Sequence, residues 1–465
     1  MIVPVGARTG SILLRDEPLR TLDASIARGG GKALSWALAS SPDEVIDVIT
    51  ASGLRGRGGA GFPTGVKWRA IRDDPCTTTF VVCNGADGEP GTFKDRWLLR
   101  LDPYQVLEGL AIAAHAVGAT KAFVAVKARF EEELAIVRRA IAEMQGADML
   151  GPVPVEVILG PDEYLFGEER ALLEVIEGND PLPRILPAYQ VGLFATRGST
   201  NPTATNNVET LANVPQILRE GAAWFRSFGT GSSPGTMVFT VCGDVRRPGV
   251  YELPLGTPLR VLIEDVGGGP LPGRRVKAVV PGASGSILPA NQLDVPMDFD
   301  SLKAAGSGLG SGGFVVYDDS ACMVAVTLSF SRFLAIESCA QCPACKHGAE
   351  QINGCLARIE AGEGSEDDLS TVLARSVSVT SGQRCALPTG EALLVQSALR
   401  SFGTEFREHL GRACPRPRPL PFPKIVDLDQ GAHRFLYDDR YLLKRPDWTY
   451  EEPELVRSAA GEPPA

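Results

Sequence analysis

The sequence predicts a multidomain chain: an α/β domain, then a small α+β module, then a helical bundle. Three observations predict it. Strand-like and helix-like segments alternate over roughly residues 42–225, the pattern of a parallel sheet covered by helices. Short β runs then surround a single apolar helix-like segment from Thr236 to about Pro289. From Cys322 onward the periodicity is helical. A chain of 465 residues exceeds one hydrophobic core, so about two to four domains are expected.

Residues 1–41 hold glycines and no strong period, and read as a lead-in. Ser41 is placed to cap a helix from Pro42 to about Ala51, with Val45, Ile46, Val48 and Ile49 as its apolar positions. A glycine-rich loop, 53–65, leads to a short helix near Val66. TTTFVVCN (77–84) reads as a buried strand, and the turn-rich GADGEPGT (85–92) follows it directly. A helix around 103–117, strands at 121–127 and 153–159, and an amphipathic helix from Glu131 to Met144 continue the alternation, which closes the first domain at 235.

In the α+β module, 236–320, the runs MVFTVCGDV, GVYELP and RVKAVVP flank LRVLIEDVG (259–267), and GSGLGSGGFVVYDD (306–319) is a glycine hinge followed by a strand. Helical patterns at 322–336, 346–361, 366–375 and 389–410 make the bundle, 321–414. The tail, 415–465, opens with the proline-dense, extended PRPRPLPFPK and carries RFLYDDRYLLKRPDWTY, too aromatic for a linker. It reads as a strap across a neighbour or across this chain's own surface. No internal repeat is visible.

The net charge of −10 argues against a general nucleic-acid binder and against adhesion to anionic membranes. No apolar run approaches about 20 residues, the length of a membrane span. The start, MIVPVGARTG, lacks the charged-then-apolar pattern of a secretory leader. Clustering of the ten cysteines near position 340 fits reduced thiolates in a cytosol.

Cys339, Cys342 and Cys345 stand as C-x2-C-x2-C, with Cys385 far along the chain. Three thiols in one turn and a fourth from a distant segment match the ligand count of a [4Fe–4S] cluster. Four thiolates also suit a structural zinc ion, and spacing alone leaves both open. Cys355, ten residues past Cys345 on the same predicted helix, lies about 15 Å along and is too far to be the fourth ligand. Cys76, Cys83, Cys242, Cys322 and Cys414 are expected to pack as small hydrophobes.

Two loops favour a nucleotide. Gly56-x-Gly58-x-x-Gly61 matches a dinucleotide fingerprint but follows a helix rather than a strand, so an ordinary Rossmann unit is not predicted. Its glycines still let backbone N–H groups approach a phosphate, and Arg55, Arg57 and Lys67 add positive charge. Asn84-Gly-Ala-Asp87-Gly-Glu89 lies where a parallel strand ends, a place where α/β sheets bind ligands. Tyr164-x-x-Gly167-Glu168-Glu169 and Asn206-Asn207 each precede a helix and have a structural explanation as caps.

Taken in order, GLRGRGGAGFPTGVKW (53–68), NGADGEPGTFKDR (84–96), YLFGEERALLEVIEG (164–178), TNNVETLANVP (205–215), GSGLGSGG (306–313), ESCAQCPAC (337–345) and CALPTGEA (385–392) strongly resemble the flavin- and NADH-binding (51-kDa-type) subunit of respiratory complex I. Relatives of that subunit serve NAD-linked hydrogenases and formate dehydrogenases. The likeness covers about residues 42–405. It implies an α/β FMN-binding domain, a ubiquitin-like β-grasp module of the soluble-ligand-binding (SLBB) type, and a helical bundle with one [4Fe–4S] cluster.

By the same resemblance, Gly56, Arg57, Gly58 and Lys67 cradle the FMN phosphate and ring edge. Asn84, Asp87, Tyr164, Gly167, Glu168, Glu169, Asn206 and Asn207 line the flavin and nicotinamide pocket. Phe62 and Glu89 face NADH, and Glu89, Glu168 and Glu169 are the candidate catalytic carboxylates. Cys339, Cys342, Cys345 and Cys385 hold the cluster, with Ala386 and Leu387 close to the flavin. NAD(H) exchanges a hydride with FMN, and electrons leave singly through the cluster to a partner. The usual partner is a thioredoxin-like [2Fe–2S] subunit, alongside larger iron–sulfur subunits of a complex. The location implied is cytoplasmic, at the inner membrane where the complex is anchored there. An adaptor that keeps FMN and cluster but takes electrons from a protein donor is the second reading, and a zinc scaffold the third.

Departures from the family pattern fall on the NADH side. Where the family reads Asn-Ala-Asp-Glu, this chain has Asn84-Gly85-Ala86-Asp87. The aromatic that commonly follows Lys-Trp by two, a second adenine clamp, is Ala70. The segment between Phe194 and Asn206 is longer than usual, with Ala-Thr-Arg197 in place of Gly-Lys-Pro.

Overall fold

The computed structural model describes residues 11–283 and 285–451. The start, read from its sequence as lacking a leader, and the last stretch of the tail lie outside them. Two short helices, α1 (Leu22–Ala27) and α2 (Lys32–Ala39), occupy the expected lead-in. Ala33, Leu34 and Ala37 of α2 are buried, and its Leu34 N–H donates to Glu108 at 3.1 Å. Two turns are too short to print a period on the sequence, which is why this region looked featureless.

Helix α3 (Pro42–Ser52) starts as expected, on a reciprocal Ser41–Glu44 capping box. The glycine loop then enters α4 (Thr64–Arg72). Strand β1 (Phe80–Gly85) is followed by α5 (Lys94–Leu101), a helix not anticipated, and α6 (Pro103–Val117). Asp102 separates the two helices and caps the second by accepting from the Gln105 N–H. Next come β2 (Lys121–Lys127), α7 (Glu131–Gly146), β3 (Val155–Gly160), α8 (Glu169–Ile176), β4 (Thr203–Asn207), α9 (Val208–Glu220) and α10 (Ala222–Phe225).

All four strands pair in parallel, in the order β3-β2-β1-β4. Strand β4 was missed because TATNN is built of Thr, Ala and Asn, and Asn in particular is depleted from strands. Its position is decisive. The chain runs outward from β1 through β2 to β3, then returns to the other side of β1. That makes the β1/β4 boundary a topological switch point, where such sheets open a crevice beyond the strand ends.

A second sheet, ordered β6-β5-β9-β7-β8, comprises β5 (Thr236–Gly243), β6 (Gly249–Pro254), β7 (Val276–Val280), β8 (Leu288–Pro289) and β9 (Gly313–Asp318). Only β5 and β9 run parallel; the other pairs are antiparallel. The expected apolar helix is one π-type turn, Val261–Val266, and Leu262, Ile263 and Val266 join Phe239 and Phe314 in a separate core. Helix α11 (Phe299–Ala304) precedes β9.

Helices α12 (Met323–Glu337), α13 (Pro343–Glu360), α14 (Glu366–Ser378) and α15 (Leu387–Glu408) pack as a group, α12 against both α13 and α15. The tail does cross this chain's own surface. A hairpin, β10 (Ile425–Asp429) with β11 (Arg434–Tyr437), is held by Arg96, whose guanidinium donates to the Ile425 and Val426 carbonyls at 3.0 and 2.8 Å. The Gly91 N–H donates to the Pro423 carbonyl at 2.7 Å, so the strap also buttresses the loop after β1. Further on, Tyr441 and Lys444 both reach the buried Glu337 carboxylate of α12.

Candidate functional site

Asn84 and Asn207 stand side by side in register at the ends of β1 and β4, beneath a cleft of about 810 Å³. That lies within the range of ligand pockets, about 300–1,000 Å³. The glycine loop, the start of α4, the Asp87–Glu89 loop, the Tyr164–Gly167 turn, residues 307–311 and Cys385-Ala386-Leu387 form its walls. Gly56, Gly58, Phe62, Lys67, Asn84, Asp87, Glu89, Tyr164, Gly167, Glu168, Glu169, Asn206, Asn207, Ala386 and Leu387 all border it, gathered from segments far apart in the chain.

The glycine loop lies close to its neighbours. A Cβ on Gly61, whose φ is +63°, would meet the Phe299 ring at 2.5 Å, and one on Gly58 would meet Asn207 at 3.2 Å. Arg57 departs from expectation. Its guanidinium is fully buried away from the cleft, donating to the carbonyls of Thr236, Pro234 and Arg55, while its N–H donates to Thr210. It braces the loop against the second sheet rather than offering charge to a phosphate, and burial pulls the guanidinium down to about 10. Lys67 does face the cleft, with Nζ 2.9 Å from the Glu169 carboxylate and 3.1 Å from the Thr205 carbonyl.

The remaining polar groups are paired in advance. Tyr164 donates its hydroxyl to Glu89 at 2.6 Å, and Glu89 also accepts from the Ala283 N–H. Burial, then the Glu89 charge, holds the Tyr164 phenol well above its ordinary value, so it stays a donor. Glu168 caps α8 by accepting from the Arg170 and Ala171 N–H groups, and burial raises its carboxyl. Asn84 donates to the Gly167 carbonyl at 2.8 Å. Asp87, at φ +38°, accepts from Arg96 at 3.0 Å.

Below these lies a group that sequence reasoning passed over. Lys94 is fully buried between Asp95 and Glu209, each at 2.8 Å, and donates to Asn207, which in turn donates to Asp95 at 2.6 Å. Asp95 reaches the cleft wall. Tyr189 was missed as well. It borders the cleft with its ring 6.4 Å from that of Phe62 and 17° from parallel. The departures noted in sequence fall differently than expected. Ala86 is buried in a small apolar core beside Gly167 of the cleft wall, and within the 195–205 segment Thr205 alone borders the cleft.

Cys339 and Cys342 lie in the α12–α13 loop, Cys345 in the first turn of α13, and Cys385 just before α15. The four influence one another electrostatically, and burial raises Cys345 to about 11 and Cys385 to about 12. Cys355 is buried elsewhere and accepts from Arg358. Cys83 and Cys242 pack in the core as expected. Cys76 is only half-buried and meets polar partners instead, its Sγ 3.2 Å from the Ser199 hydroxyl. Cys322 and Cys414 do not merely pack, for both gather around His409, and the three ligand atoms lie within 4.8 Å of one another.

Three sequence profiles match the chain: the Nuo51 FMN-binding domain over residues 49–216, the SLBB domain over 238–287, and the NADH-ubiquinone oxidoreductase-F iron-sulfur binding region over 325–409. The F 2 polypeptide of the NADH-quinone oxidoreductase of Rhizobium meliloti is 44% identical over 87% of this chain and 99% of its own length. The NADP-reducing hydrogenase subunit HndC of Solidesulfovibrio fructosivorans is 36% identical over 85% of this chain and 82% of its own. A crystal structure of an NAD+-reducing [NiFe]-hydrogenase superposes with a TM-score of 0.75 at 34% identity, covering 87% of this chain and 68% of that one.

The chain belongs to the family of 51-kDa-type flavoprotein subunits of complex I and NAD-linked hydrogenases.

The residues present fit the groups this family carries. Buried polar atoms of Thr64, Asp87 and Thr205, all on the cleft wall, have no hydrogen-bond partner among the described residues. Such atoms cost stability unless a polar ligand such as FMN answers them. At the other end, the family's four cysteines do not draw together as closely as the Cys322–His409–Cys414 set does. All four lie inside the iron-sulfur binding region matched over residues 325–409, and their number is that of the ligands of a [4Fe–4S] cluster.

Proposed function

We propose that the cleft takes FMN with its phosphate toward the glycine loop and Lys67, and NAD(H) along the Phe62–Tyr189 side. This member of the family is a flavin- and iron–sulfur-containing electron-entry subunit, an NADH dehydrogenase flavoprotein subunit. Bound FMN supplies the change from two-electron to one-electron chemistry, and a [4Fe–4S] cluster the single-electron exit. One observation carries the reading. Cys385, a cluster ligand in this assignment, lines the cleft together with Ala386 and Leu387, so flavin site and cluster site share a wall.

The chain's own groups place and insulate the reactants. The glycine loop and Lys67 bind anionic oxygens, and Tyr164, locked on Glu89, offers a hydroxyl whose proton does not leave at neutral pH. Glu168 and Glu169 are committed to an N-cap with Arg170 and to Lys67, so they shape the floor electrostatically and are not free bases. Phe62 and Tyr189 offer parallel faces to a planar base, compensating for the aromatic replaced by Ala70.

We further assign a β-grasp architecture to the second sheet and a bundle to α12–α15, with domains at 42–235, 236–320 and 321–414 between the lead-in and the strap. No helix among the described residues is long and apolar enough to cross a membrane. A cytoplasmic position at the inner membrane, with a thioredoxin-like [2Fe–2S] subunit as next acceptor, follows by analogy with relatives that are subunits of oxidoreductases.

Anaerobic titration of the purified flavoprotein with NADH tests the reading. Bleaching of the flavin band by substoichiometric NADH is the expected result. A flavin that stays oxidised in millimolar NADH but is reduced by dithionite would instead establish the adaptor reading.

A further inference from the structure

The far part of the strap docks where α12 ends, directly before the cysteine loop. Trp448 donates its indole N–H to the Ile336 carbonyl at 2.9 Å, and Arg332 donates to the Leu442 and Lys444 carbonyls at 2.8 and 3.1 Å. At the centre of this contact is Glu337, the last residue of α12 and almost wholly buried. A buried carboxylate is costly unless its lone pairs and its charge are both answered. One oxygen accepts from the Tyr441 hydroxyl at 2.8 Å and from Lys444 Nζ at 2.9 Å. The other accepts the N–H of Tyr164, a residue of the cleft wall, at 3.0 Å.

That N–H opens the short turn Tyr164–Gly167, which has no side-chain cap of its own. The leading N–H groups of a helical turn have no partner inside it, so Glu337 supplies the missing acceptor. At the other end of the turn the Gly167 carbonyl accepts from Asn84. Held at both ends, the turn aims the Tyr164 hydroxyl at Glu89, 2.6 Å away. Lys444 answers a second carboxylate as well, since Glu163, the residue before the turn, lies 3.8 Å from its Nζ. Its side chain is fully buried, so that charge stands close to the two carboxylates that flank the turn.

We propose that Lys444 is a positioning residue for NADH oxidation: through Glu337 it fixes the Tyr164 turn, and with it the Tyr164–Glu89 pair, in the cleft wall. It touches no reactant. The proposal rests on the reading of the cleft as a flavin and NADH site, and adds that the strap completes that site. Without Lys444, Glu163 and Glu337 face each other as like charges in a poorly solvated place, and their separation releases the Tyr164 N–H. Reactant alignment tolerates only a fraction of about 1 Å, so a displaced wall is felt in the rate of the reaction. The Phe62–Tyr189 face lies on other segments, so dinucleotide binding there should persist.

The test uses the full-length holoenzyme. Lys444→Met should keep its FMN and cluster iron, yet its flavin should be reduced by NADH about ten-fold more slowly in anaerobic stopped flow. Its KM for NADH should stay within about two-fold of the unaltered protein. Amide exchange in the Tyr164–Gly167 turn should accelerate in the same variant, a readout that needs no turnover. Adding Glu337→Gln should restore most of the rate, because the stranded charge goes while an acceptor for the Tyr164 N–H stays. Tyr441→Phe removes one hydrogen bond and no charge, and should slow flavin reduction about two-fold; it decides the matter if Lys444→Met does not fold. An unchanged rate in whichever of the two variants is read, a KM that rises as far as kcat falls, or a rate that Glu337→Gln does not restore would each overturn the proposal. Flavin of the unaltered protein that NADH fails to bleach would instead overturn the reading of the site, and this proposal with it.

Discussion

Two sets of cysteines border the same helical layer, most of them at helix ends and in the connecting loops, and their surroundings differ. No three sulfurs among Cys339, Cys342, Cys345 and Cys385 lie within 4.8 Å of one another, and one of the four residues, Cys385, forms part of the cleft wall. Cys322 and Cys414 crowd a histidine within 4.8 Å, away from that wall. Both sets offer soft donors, so donor type does not separate them. Position does: the first set adjoins the cleft through Cys385, and the second lies at the root of the strap.

Cys342→Ala should break the contrast most severely, abolishing the cluster's signal in electron paramagnetic resonance and electron delivery to one-electron acceptors. The flavin should stay. Loss of both together would mean that the cluster site also holds the flavin cleft in shape. The cleft floor comes next. Lys94→Ala strands Asp95 and Glu209 as buried unpaired carboxylates, and breaking such a group costs about 3–5 kcal/mol, measurable by denaturant unfolding.

Acid sharpens the comparison from the side of the strap. Burial alone would raise the Asp162 carboxyl, but Lys127, Lys424 and Arg129 together hold it well below its ordinary 3.8. A depressed folded value means that its stabilisation is full above about 4 and is lost as the pH falls further. Hydrogen exchange in residues 423–445 should therefore accelerate below about pH 4. Asp162→Asn should show fast exchange already at neutral pH and no acid dependence.

Smaller effects belong to the NADH side. Phe62→Ala and Tyr189→Ala should each raise the KM for NADH about five-fold, as expected for an aromatic contact of about 1 kcal/mol, with kcat little changed. An unchanged KM in Tyr189→Ala would remove it from the NADH side. Cys355→Ala is the control, since its thiol belongs to neither set. Iron should be unchanged, at a stability cost of about 1 kcal/mol.

Local pattern was enough to set the class of each region, because alternation, helical period and cysteine spacing are all written over short stretches of chain. Together with the family resemblance it named about half of the cleft wall, the part that sits in loops whose glycines, asparagines and carboxylates stand out from their surroundings. It could not settle which way a side chain turns. Arg57 belongs to the right loop, yet its guanidinium is drawn to three carbonyls beneath the loop, and only packing shows that. Strand β4 was invisible because its polar residues are offset by pairing with β1, a partner over a hundred residues away. Tyr189 and the Cys322–His409–Cys414 set share that cause. Each is a meeting of segments remote in sequence, and chain spacing carries no trace of distances that only the closed fold sets.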